Sequence, residues 1–334
     1  MVSSLCDDTK TNTRDKGSSM HALGVDLGGT KILAGVISDY KVVSDIKRVP
    51  TPKGASNIVD AIEGLIDSFK DNYLIAGVGL STAGIVNVDT GEVIGSTGNL
   101  PGWEGTKIKN HIERKYMLPT HVENDANAAA YGESHAAGLG DKKCIIAVAL
   151  GTGIGVGIVI DGKLYRGAHW AGGECGHLKV NMDNKRLCTC GLWDCWEAYG
   201  CGGGFVVTAK EFLQGVSKEQ SSLADKIDTL TTRDIIEAGK QGDPISRKTL
   251  EKWHEHVACG MVSLAHAFDP DCFLMTGGMS EFLDYALLKE MLMDRTIPRV
   301  SEHIDIRPSV LSTEAGMIGA ARLVIDGIRE RAIV

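Results

Sequence analysis

The sequence lacks the features by which proteins commonly cross a membrane or bind nucleic acid. No apolar run approaches the roughly 20 residues of a membrane-spanning helix, and no signal-peptide pattern opens the chain. Basic residues are in deficit, with 35 Lys and Arg against 43 Asp and Glu, and such a surface repels a nucleic-acid backbone. We therefore expect a cytoplasmic protein whose partners include neither a membrane nor a nucleic acid.

Both common nucleotide-binding signatures are also missing. The P-loop pattern G-x-x-x-x-G-K-[ST] does not occur, and no G-x-G-x-x-G follows a strand and opens a helix. The glycine-rich run Gly200–Gly204 has no strand before it. We interpret it as a local packing or flexibility feature, so any phosphate must be bound elsewhere.

What is present indicates a sizeable α/β protein. The chain has 334 residues, of which 43% are apolar, enough for two domains or one two-lobed enzyme. From His21 onward, short apolar runs alternate with helical patterns, which favours an α/β fold. Residues 1–20 are polar and aperiodic, and we expect them to be a disordered leader or an expression remnant.

The most informative feature of the organisation is an internal repeat. Residues 25–37 and 148–160 align without a gap, and each comprises an apolar strand, a tight Gly/Thr turn and a second apolar strand. A further turn and strand follows each copy. The duplication predicts two related lobes around a cleft. No Pro- or Ser-rich linker separates them, so a hinge is expected and a tether is not.

The turns of this repeat are candidate phosphate sites, because glycine leaves backbone N–H groups open to a ligand. Asp26 precedes the first turn, where a carboxylate could hold Mg²⁺, and Lys31 follows it. Gly277 and Gly278 form a third candidate turn, for which a plain strand-to-helix turn is nearly as good an explanation. The residues of the two main turns are Gly28, Gly29 and Thr30, and Gly151, Thr152, Gly153 and Gly155.

Asn124 and Asp125 lie between an extended stretch and a strong helical pattern, and two interpretations compete. Either residue could simply cap the helix, which position alone favours. Alternatively, a carboxylate at the crevice of an open α/β sheet is placed to act on a ligand. A general base is what a hydroxyl group needs when it attacks a phosphoryl group.

The strongest local signal is a cluster of metal-ligand residues. His177, Cys188, Cys190 and Cys195 supply the ligand set of a closed, tetrahedral structural zinc site. Their spacing is not that of a zinc finger, so no nucleic-acid role follows. A fully liganded zinc has no open position for water, which argues against a hydrolytic metalloenzyme. The scattered cysteines are interpreted as small buried apolar residues.

In order and spacing, these motifs resemble the ROK family of repressors, open-reading-frame proteins and sugar kinases. The resemblance extends from about Met20 to the end of the chain. The segments that carry it are Asp26-Leu-Gly-Gly-Thr-Lys, Glu123-Asn-Asp, Leu150-Gly-Thr-Gly-Ile-Gly, Glu174-Cys-Gly-His and the Cys-x-Cys-Gly-x-x-x-Cys-x-Glu run that starts at Cys188.

The resemblance implies a two-lobed, actin-like (ribonuclease-H-like) ATPase fold with a structural zinc site. The N-terminal lobe would comprise residues 21–123, and the larger C-terminal lobe, with the zinc site, residues 124–312. The C-terminal helix, residues 313–334, would return to the first lobe.

The resemblance also implies residue roles. Asp125 would be the catalytic base that accepts the proton of a sugar hydroxyl, which reverses the positional preference for a cap. The three glycine turns would bind Mg-ATP, with Asp26 near Mg²⁺, and the Cys/His cluster would bind structural Zn²⁺. The expected sugar-binding residues are Gly84, Asn99, Asn124, Asp125, Glu174, His177 and Glu197.

Two departures from the family pattern are visible. The residue before Cys195, commonly glycine in the family, is Asp194, which could alter the backbone there but removes no ligand. Cys175, within the Glu-x-Gly-His segment, is also unusual, and no role is assigned to it. The zinc assignment therefore stands.

A kinase is expected over the family's other class, sugar-responsive repressors, which carry a winged-helix segment before the first phosphate turn. Only 25 residues precede Asp26, and both Asp26 and Asp125 are intact. The segment Asn99–Trp103 resembles glucokinases of the family, so glucose is the expected substrate. N-acetylmannosamine kinase is the alternative and fructokinase the third. A homo-oligomer, dimer or tetramer, is expected.

Overall fold

In the computed structural model, which describes residues 20–95, 98 and 100–333, the strands form two large sheets and a separate hairpin. The strands are β1 (Ala22–Leu27), β2 (Lys31–Ser38), β3 (Lys41–Val42), β4 (Lys47–Pro50), β5 (Gly77–Thr82), β6 (Ile85–Asn87), β7 (Glu92–Gly95), β8 (Thr120–Asn124), β9 (Cys144–Leu150), β10 (Ile154–Ile160), β11 (Lys163–Leu164), β12 (Cys272–Thr276) and β13 (Asp305–Pro308).

The helices are concentrated after the second hairpin. They are α1 (Ala55–Lys70), α2 (Ile108–Tyr116), α3 (Asp125–Ala136), α4 (Glu197–Gly200), α5 (Gly202–Leu213), α6 (Thr232–Lys240), α7 (Pro244–Phe268), α8 (Tyr285–Arg295), α9 (Pro298–Ser301) and α10 (Ala315–Ile333). Within the described ranges, no helix combines the length and the apolar composition that a membrane crossing requires.

The two large sheets share one topology, which confirms the duplication predicted from the sequence. The first has the order β3-β2-β1-β5-β8, with β4 also paired to β2, and the second has the order β11-β10-β9-β12-β13. In each, an antiparallel hairpin is followed by two parallel strands. The separate hairpin is formed by β6 and β7, which the turn Asp89-Thr90-Gly91 joins.

Helix α1 shows why the apolar pattern predicts structure well here. Five apolar residues recur at a spacing that places them on one helical face, and all five are buried against the first sheet: Ile58, Ile62, Leu65, Ile66 and Phe69. The apolar run Leu74–Leu80 has the composition of a buried strand, but β5 begins only at Gly77 and Leu74 is 92% exposed. The ladder with β1 begins at Ala22 opposite Gly77, so no neighbouring strand pairs with Leu74.

Helices α3 and α10 lie between the two sheets. Helix α10 packs on β1 and β5 of the first sheet, α3 packs on β9 and β10 of the second, and the two helices contact each other. Glycines permit these close approaches: a Cβ at Gly24 would lie 2.8 Å from the Met317 side chain. A Cβ at Gly79 would collide with the backbone of Ala320.

The strand order supports a division of the chain near residue 123, which we propose as the boundary between the two lobes. Strand β8, which ends at Asn124, is the last strand of the first sheet. Helix α10 then supplies the proposed return to the N-terminal lobe, since it packs on β1 and β5. Residues 1–19 of the expected leader lie outside the described residues.

The crossing of α3 and α10 generates a first prediction. A Cβ at Gly319 of α10 would overlap the carbonyl oxygen of Ala128 and lie 3.0 Å from the Gly132 nitrogen in α3. We expect Gly319→Ala to lower the free energy of unfolding by about 1–3 kcal/mol through overpacking, as measured by urea denaturation.

The matched control is Gly327→Ala on the same helix, where a Cβ would have no neighbour within 4 Å. That change should raise the free energy of unfolding by about 0.5–1 kcal/mol, because alanine is the better helix former. Equal stability of the two variants would show that the helices do not meet this closely.

Candidate active site

A cleft of about 1230 Å³ lies between the two sheets and is lined from both. Strands β5, β8 and β12 end at Thr82, Asn124 and Thr276, so the cleft lies at the carboxyl ends of parallel strands, where open α/β sheets bind ligands. The hairpin turns β1–β2 and β9–β10 open into it from opposite sides.

The start of α3 resolves the two interpretations of Asn124 and Asp125. Asn124 is the N-cap, since its side-chain oxygen accepts the Asn127 N–H at 3.1 Å, while its side-chain nitrogen donates to the Gly84 carbonyl at 3.0 Å. Asp125 is therefore the first helical residue and is not needed as the cap. Its side chain is exposed to the cleft.

The protein around Asp125 raises the pKa of its carboxyl group. Desolvation by the cleft walls raises the pKa of this carboxyl, although its side chain stays accessible, and the hydrogen bond from the Ala126 N–H opposes the change. A carboxylate with a raised pKa binds a proton more readily. This is the property that a general base requires.

Three further predicted residues, Glu174, His177 and Glu197, line the same part of the cleft. Desolvation raises the pKa of Glu174, and the neighbouring carboxylates of Asp125 and Glu197 add to the effect, against the attraction of His177. The Glu174 carboxylate lies 3.9 Å from Nε2 of His177. Closely spaced acceptors of this kind suit a ligand that is rich in hydroxyl groups.

The Cys/His cluster assembles as the sequence predicts. One ligand atom from each of His177, Cys188, Cys190 and Cys195 lies within 4.8 Å of the others. The sulfurs of Cys190 and Cys195 are 3.7 Å apart, against about 3.8 Å for tetrahedral zinc with bonds of about 2.3 Å. Nδ1 of His177 lies 3.8 Å from the Cys188 sulfur. The residues therefore fit a metal ion, with Nδ1 facing it.

The structure also explains how Asp194 is accommodated before Cys195, at a position where glycine is expected. Its φ is +60°, in the left-handed region that favours glycine, but its side chain is only 1% exposed. The carboxylate accepts the Tyr199 hydroxyl at 2.6 Å and the Arg186 N–H at 2.9 Å. These hydrogen bonds offset the backbone strain and fix the residue that precedes Cys195.

The candidate phosphate turns differ in how fully they face the cleft. Gly28, all four predicted residues of the second turn, and both Gly277 and Gly278 line it. Gly29 and Thr30 are exposed in the first turn and Lys31 begins β2, and none of these three is among the lining residues. Thr51 supports that turn through its hydroxyl, which donates to the Gly28 carbonyl at 2.6 Å.

Asp26 lies on the cleft wall with an unusual environment. Burial raises its pKa to about 6, although the Ser81 hydroxyl donates to its carboxylate at 2.5 Å. Lys31 is the cation that opposes this rise, and its effect is the smallest of those acting on the carboxyl group. A half-buried carboxylate with so little cationic compensation fits a divalent cation, which would supply the missing charge.

Sequence reasoning missed a buried ion pair beside the candidate base. Glu123 is 1% exposed, and one of its oxygens accepts Nε and an Nη of Arg166 at 2.9 and 2.7 Å. Burial alone would raise the pKa of Glu123, but the hydrogen bond from His121 and the charge of Arg166 lower it. The pair ties the segment after β11 to β8, the strand that ends just before Asp125. The signal in the sequence was Glu123 itself, which directly precedes Asn124 and Asp125 and was given no role.

Several lining residues were also missed, among them two aromatic ones, and one expected residue is not described. Trp170, Tyr285 and Glu281 line the cleft but belong to no motif. Asn99, expected to bind sugar, lies outside the described residues.

Comparison with known proteins shows which family the chain is similar to. Residues 22–327 match the ROK family. The chain is 34% identical over 311 residues to a glucokinase of Streptomyces coelicolor, with 90% of this chain and 96% of that protein covered. It is 30% identical over 255 residues to a xylose repressor of Caldicellulosiruptor bescii, with coverage of 75% and 63%.

Among solved structures, the chain resembles a ROK family glucokinase from Streptomyces griseus, determined in complex with glucose and AMPPNP. The TM-score is 0.76 at 32% identity, and the match covers 92% of this chain and 100% of that one. This similarity confirms the expected two-lobed, actin-like fold.

The environment of Asp26 generates a second prediction. In the unfolded chain the carboxyl ionises near its ordinary pKa of 3.8, and in the folded protein near 6. The resulting stabilisation is complete below about pH 4 and is lost as pH rises through 6, by up to about 3 kcal/mol. Asp26→Asn should therefore raise the Tm at pH 7.5 and change it much less at pH 4, where the carboxyl is still protonated in the folded protein.

Asp60→Asn is the matched control, because Asp60 is exposed on α1, and it should shift the Tm by a small amount that is equal at both pH values. A Tm difference between wild type and Asp26→Asn that does not depend on pH would contradict the raised pKa.

Proposed function

This chain belongs to the ROK family, and on that premise we propose that it is a glucokinase. It transfers the γ-phosphate of ATP to a hydroxyl group of glucose and makes glucose 6-phosphate. One observation carries the proposal. Because Asn124 caps α3, the Asp125 carboxylate is not needed for capping, and it lies in the same cleft as the glycine turns. A base and a phosphate cradle in one cleft are the parts that phosphoryl transfer to a hydroxyl requires.

The proposed sugar subsite surrounds Asp125. Its carboxylate accepts the proton of the attacking hydroxyl, while neighbouring acceptors and donors hold the remaining hydroxyls and so orient the attack. Gly84 has a φ of +106°, and its place beside Asn124 brings the first lobe to the sugar. The residues proposed to bind sugar are Gly84, Asn99, Asn124, Asp125, Glu174, His177 and Glu197.

The proposed ATP subsite comprises the glycine turns on the two sides of the cleft. Backbone N–H groups of such turns bind phosphate oxygens. Asp26 would hold Mg²⁺, which, when bound, neutralises charge on the phosphates. The residues proposed to bind ATP are Asp26, Gly28, Gly29, Thr30, Lys31, Gly151, Thr152, Gly153, Gly155, Gly277 and Gly278.

We further propose that the Cys/His cluster holds a structural Zn²⁺ through His177, Cys188, Cys190 and Cys195. Four protein ligands leave no open position, so zinc acts on conformation and not on the reaction. Nδ1 of His177 faces the cluster, and Nε2 faces Glu174 and the cleft. With Nδ1 bound to zinc, the His177 ring would be held in an orientation in which Nε2 can donate to a sugar hydroxyl.

The relatives favour a glucokinase over a repressor. The glucokinase of Streptomyces coelicolor matches 90% of this chain and 96% of its own length, whereas the xylose repressor match covers 63% of the repressor. N-acetylmannosamine kinase remains the alternative substrate assignment, because an acetamido-sized difference in a pocket can be set by loop shape alone.

A cytoplasmic location and a homo-oligomeric state complete the proposal. The eight cysteines of the described residues are all free, as expected in a reducing compartment, and ATP is a cytoplasmic metabolite. The segment with the zinc ligands exposes Met182, Leu187, Leu192 and Trp193. Apolar side chains grouped on a surface favour an interface, which supports a dimer or tetramer.

The third prediction tests the reaction and its base together. In a coupled ADP assay with Mg-ATP, the wild type should phosphorylate glucose with a higher kcat/KM than N-acetylmannosamine or fructose. Asp125→Asn should lower kcat about 10²–10⁴-fold, the usual contribution of a general base. Glucose affinity, measured by calorimetry, should stay within a few-fold, because the amide oxygen still accepts a hydrogen bond.

Asp60→Asn again serves as the control and should leave kcat unchanged. A kcat/KM for N-acetylmannosamine ten times that for glucose would replace the substrate assignment. An Asp125→Asn variant that keeps more than about a tenth of wild-type kcat would remove the catalytic role of Asp125.

The fourth prediction concerns zinc. Metal analysis should find about one zinc per chain, from the single four-ligand cluster. Cys190→Ser should lose the metal, lower the Tm and raise the glucose KM about 10–100-fold, with a far smaller effect on the ATP KM. The expected cause is displacement of His177 and Glu197, which need placement to about 0.5 Å.

Cys175→Ser is the matched control, because Cys175 lies two residues before His177 but outside the cluster. This variant should keep both zinc and sugar affinity. Metal-free protein with full glucose affinity would contradict the proposed role of the ion.

A further inference from the structure

Trp170 has a backbone conformation that a tryptophan seldom adopts. Its φ is +61°, in the left-handed region where a bulky side chain is strained. Several other non-glycine residues of the described chain have positive φ, but among them Trp170 alone lines the cleft. Strain of this kind persists only where the surroundings enforce it, and it is concentrated at functional sites.

Contacts within the loop hold the backbone of Trp170 in this conformation. The Gly172 N–H donates to the Arg166 carbonyl at 2.8 Å, which closes the loop of residues 166–172. The closure is tight, because a Cβ at Gly172 would lie 2.5 Å from the Gly167 nitrogen. Trp170 therefore occupies the far part of a short, closed loop.

This loop is anchored beside the proposed base. The Arg166 guanidinium binds the buried carboxylate of Glu123 at 2.9 and 2.7 Å, two residues before Asp125. Four residues beyond Trp170, the chain reaches Glu174, and then His177. The position of Trp170 is thus fixed relative to Asp125 on one side and to the proposed sugar-binding residues on the other.

The polar residues around Asp125 provide no contact for the apolar faces of a bound sugar, which an aromatic ring could provide. Asp125, Glu174 and Glu197 present acceptors for hydroxyl groups, but a pyranose also has faces of C–H groups that polar atoms do not satisfy. Among the described lining residues, only Trp170 and Tyr285 carry large aromatic side chains. Tyr285 follows the Gly277–Gly278 turn, whereas Trp170 is close in sequence to Glu174.

We propose that Trp170 is a sugar-contacting, specificity-determining residue whose indole ring packs on the C–H face of the pyranose. The inference rests on the proposed kinase function and deepens it. The strained loop holds the ring in place before the sugar arrives, so little conformational freedom is lost on binding. Trp170 is half-buried, so its ring has surface available for that contact.

The backbone strain makes a clean experiment possible. Trp170→Gly removes the ring and places at φ +61° the residue that adopts this conformation most easily, so the variant should fold with an unchanged or higher Tm. Its glucose KM should rise about 10–100-fold, the loss expected for a buried aromatic contact. Trp170→Phe keeps a ring and should restore KM to within about threefold of wild type.

The control is Tyr165→Leu, which removes an aromatic side chain from the same segment. Tyr165 packs edge-on against Phe268, with ring centroids 6.0 Å apart, and does not line the cleft. This variant should keep the glucose KM of the wild type. The ATP KM should stay within about twofold in all three variants, because a contact made only to the sugar contributes nothing to nucleotide affinity.

Fluorescence supplies a readout that a purely structural role would not change. Trp103, Trp196 and Trp253 are fully buried, and Trp193 lies outside the cleft. Glucose should therefore alter the emission of the wild type mainly through Trp170, and Trp170→Phe should lose most of that change. A Trp170→Gly variant with wild-type glucose KM, or an unaltered response in Trp170→Phe, would overturn the proposal. Absence of glucose turnover in the wild type would instead overturn the proposed function.

Discussion

The crossing of α3 and α10 is the contact on which the rest of the architecture depends. The two helices meet backbone to backbone at Gly132 and Gly319, and each also packs on one of the large sheets. Both helices begin at the cleft. Asp125 is the first residue of α3, and the start of α10 lies so close to Asp26 that a Cβ at Gly316 would be 2.9 Å from its carboxylate.

That arrangement explains why the cleft concentrates groups that are costly to bury. Helix N-termini attract negative charge, and here they face a space already lined by Asp26, Asp125 and Glu174. Desolvation raises the pKa of all three carboxyl groups. Stability alone gives no reason to gather acids whose burial is so little compensated by cations. Their cost is consistent with a site arranged to receive hydroxyl groups, a proton and a cation.

The sequence predicted the parts of this site that depend on local pattern. The two hairpins follow from apolar runs around glycine turns, the face of α1 follows from its apolar spacing, and the Cys/His cluster follows from its ligand set. Position alone did not separate the capping role of Asn124 from the role of Asp125. The hydrogen bond from the Asn127 N–H to Asn124 separates them.

What the sequence could not predict depends on contacts between distant segments. The pair of Glu123 with Arg166 joins residues 43 positions apart, and no periodicity indicates it. The true start of β5 is set by where β1 begins its ladder. Trp170 belongs to no motif, and its importance appears only when its φ and its place in the cleft are known together.

Glu197 shows how the two proposed subsites are physically joined. One carboxylate oxygen accepts the Ile154 N–H at 2.9 Å, at the end of the second glycine turn. The other accepts the Thr189 hydroxyl at 2.9 Å and lies 3.3 Å from the sulfur of Cys188. A single side chain therefore connects the segment that holds the metal ligands to the turn proposed to bind phosphate. Any movement of that segment must either carry the turn with it or break these hydrogen bonds, so the proposed metal, sugar and nucleotide sites are mechanically connected through Glu197.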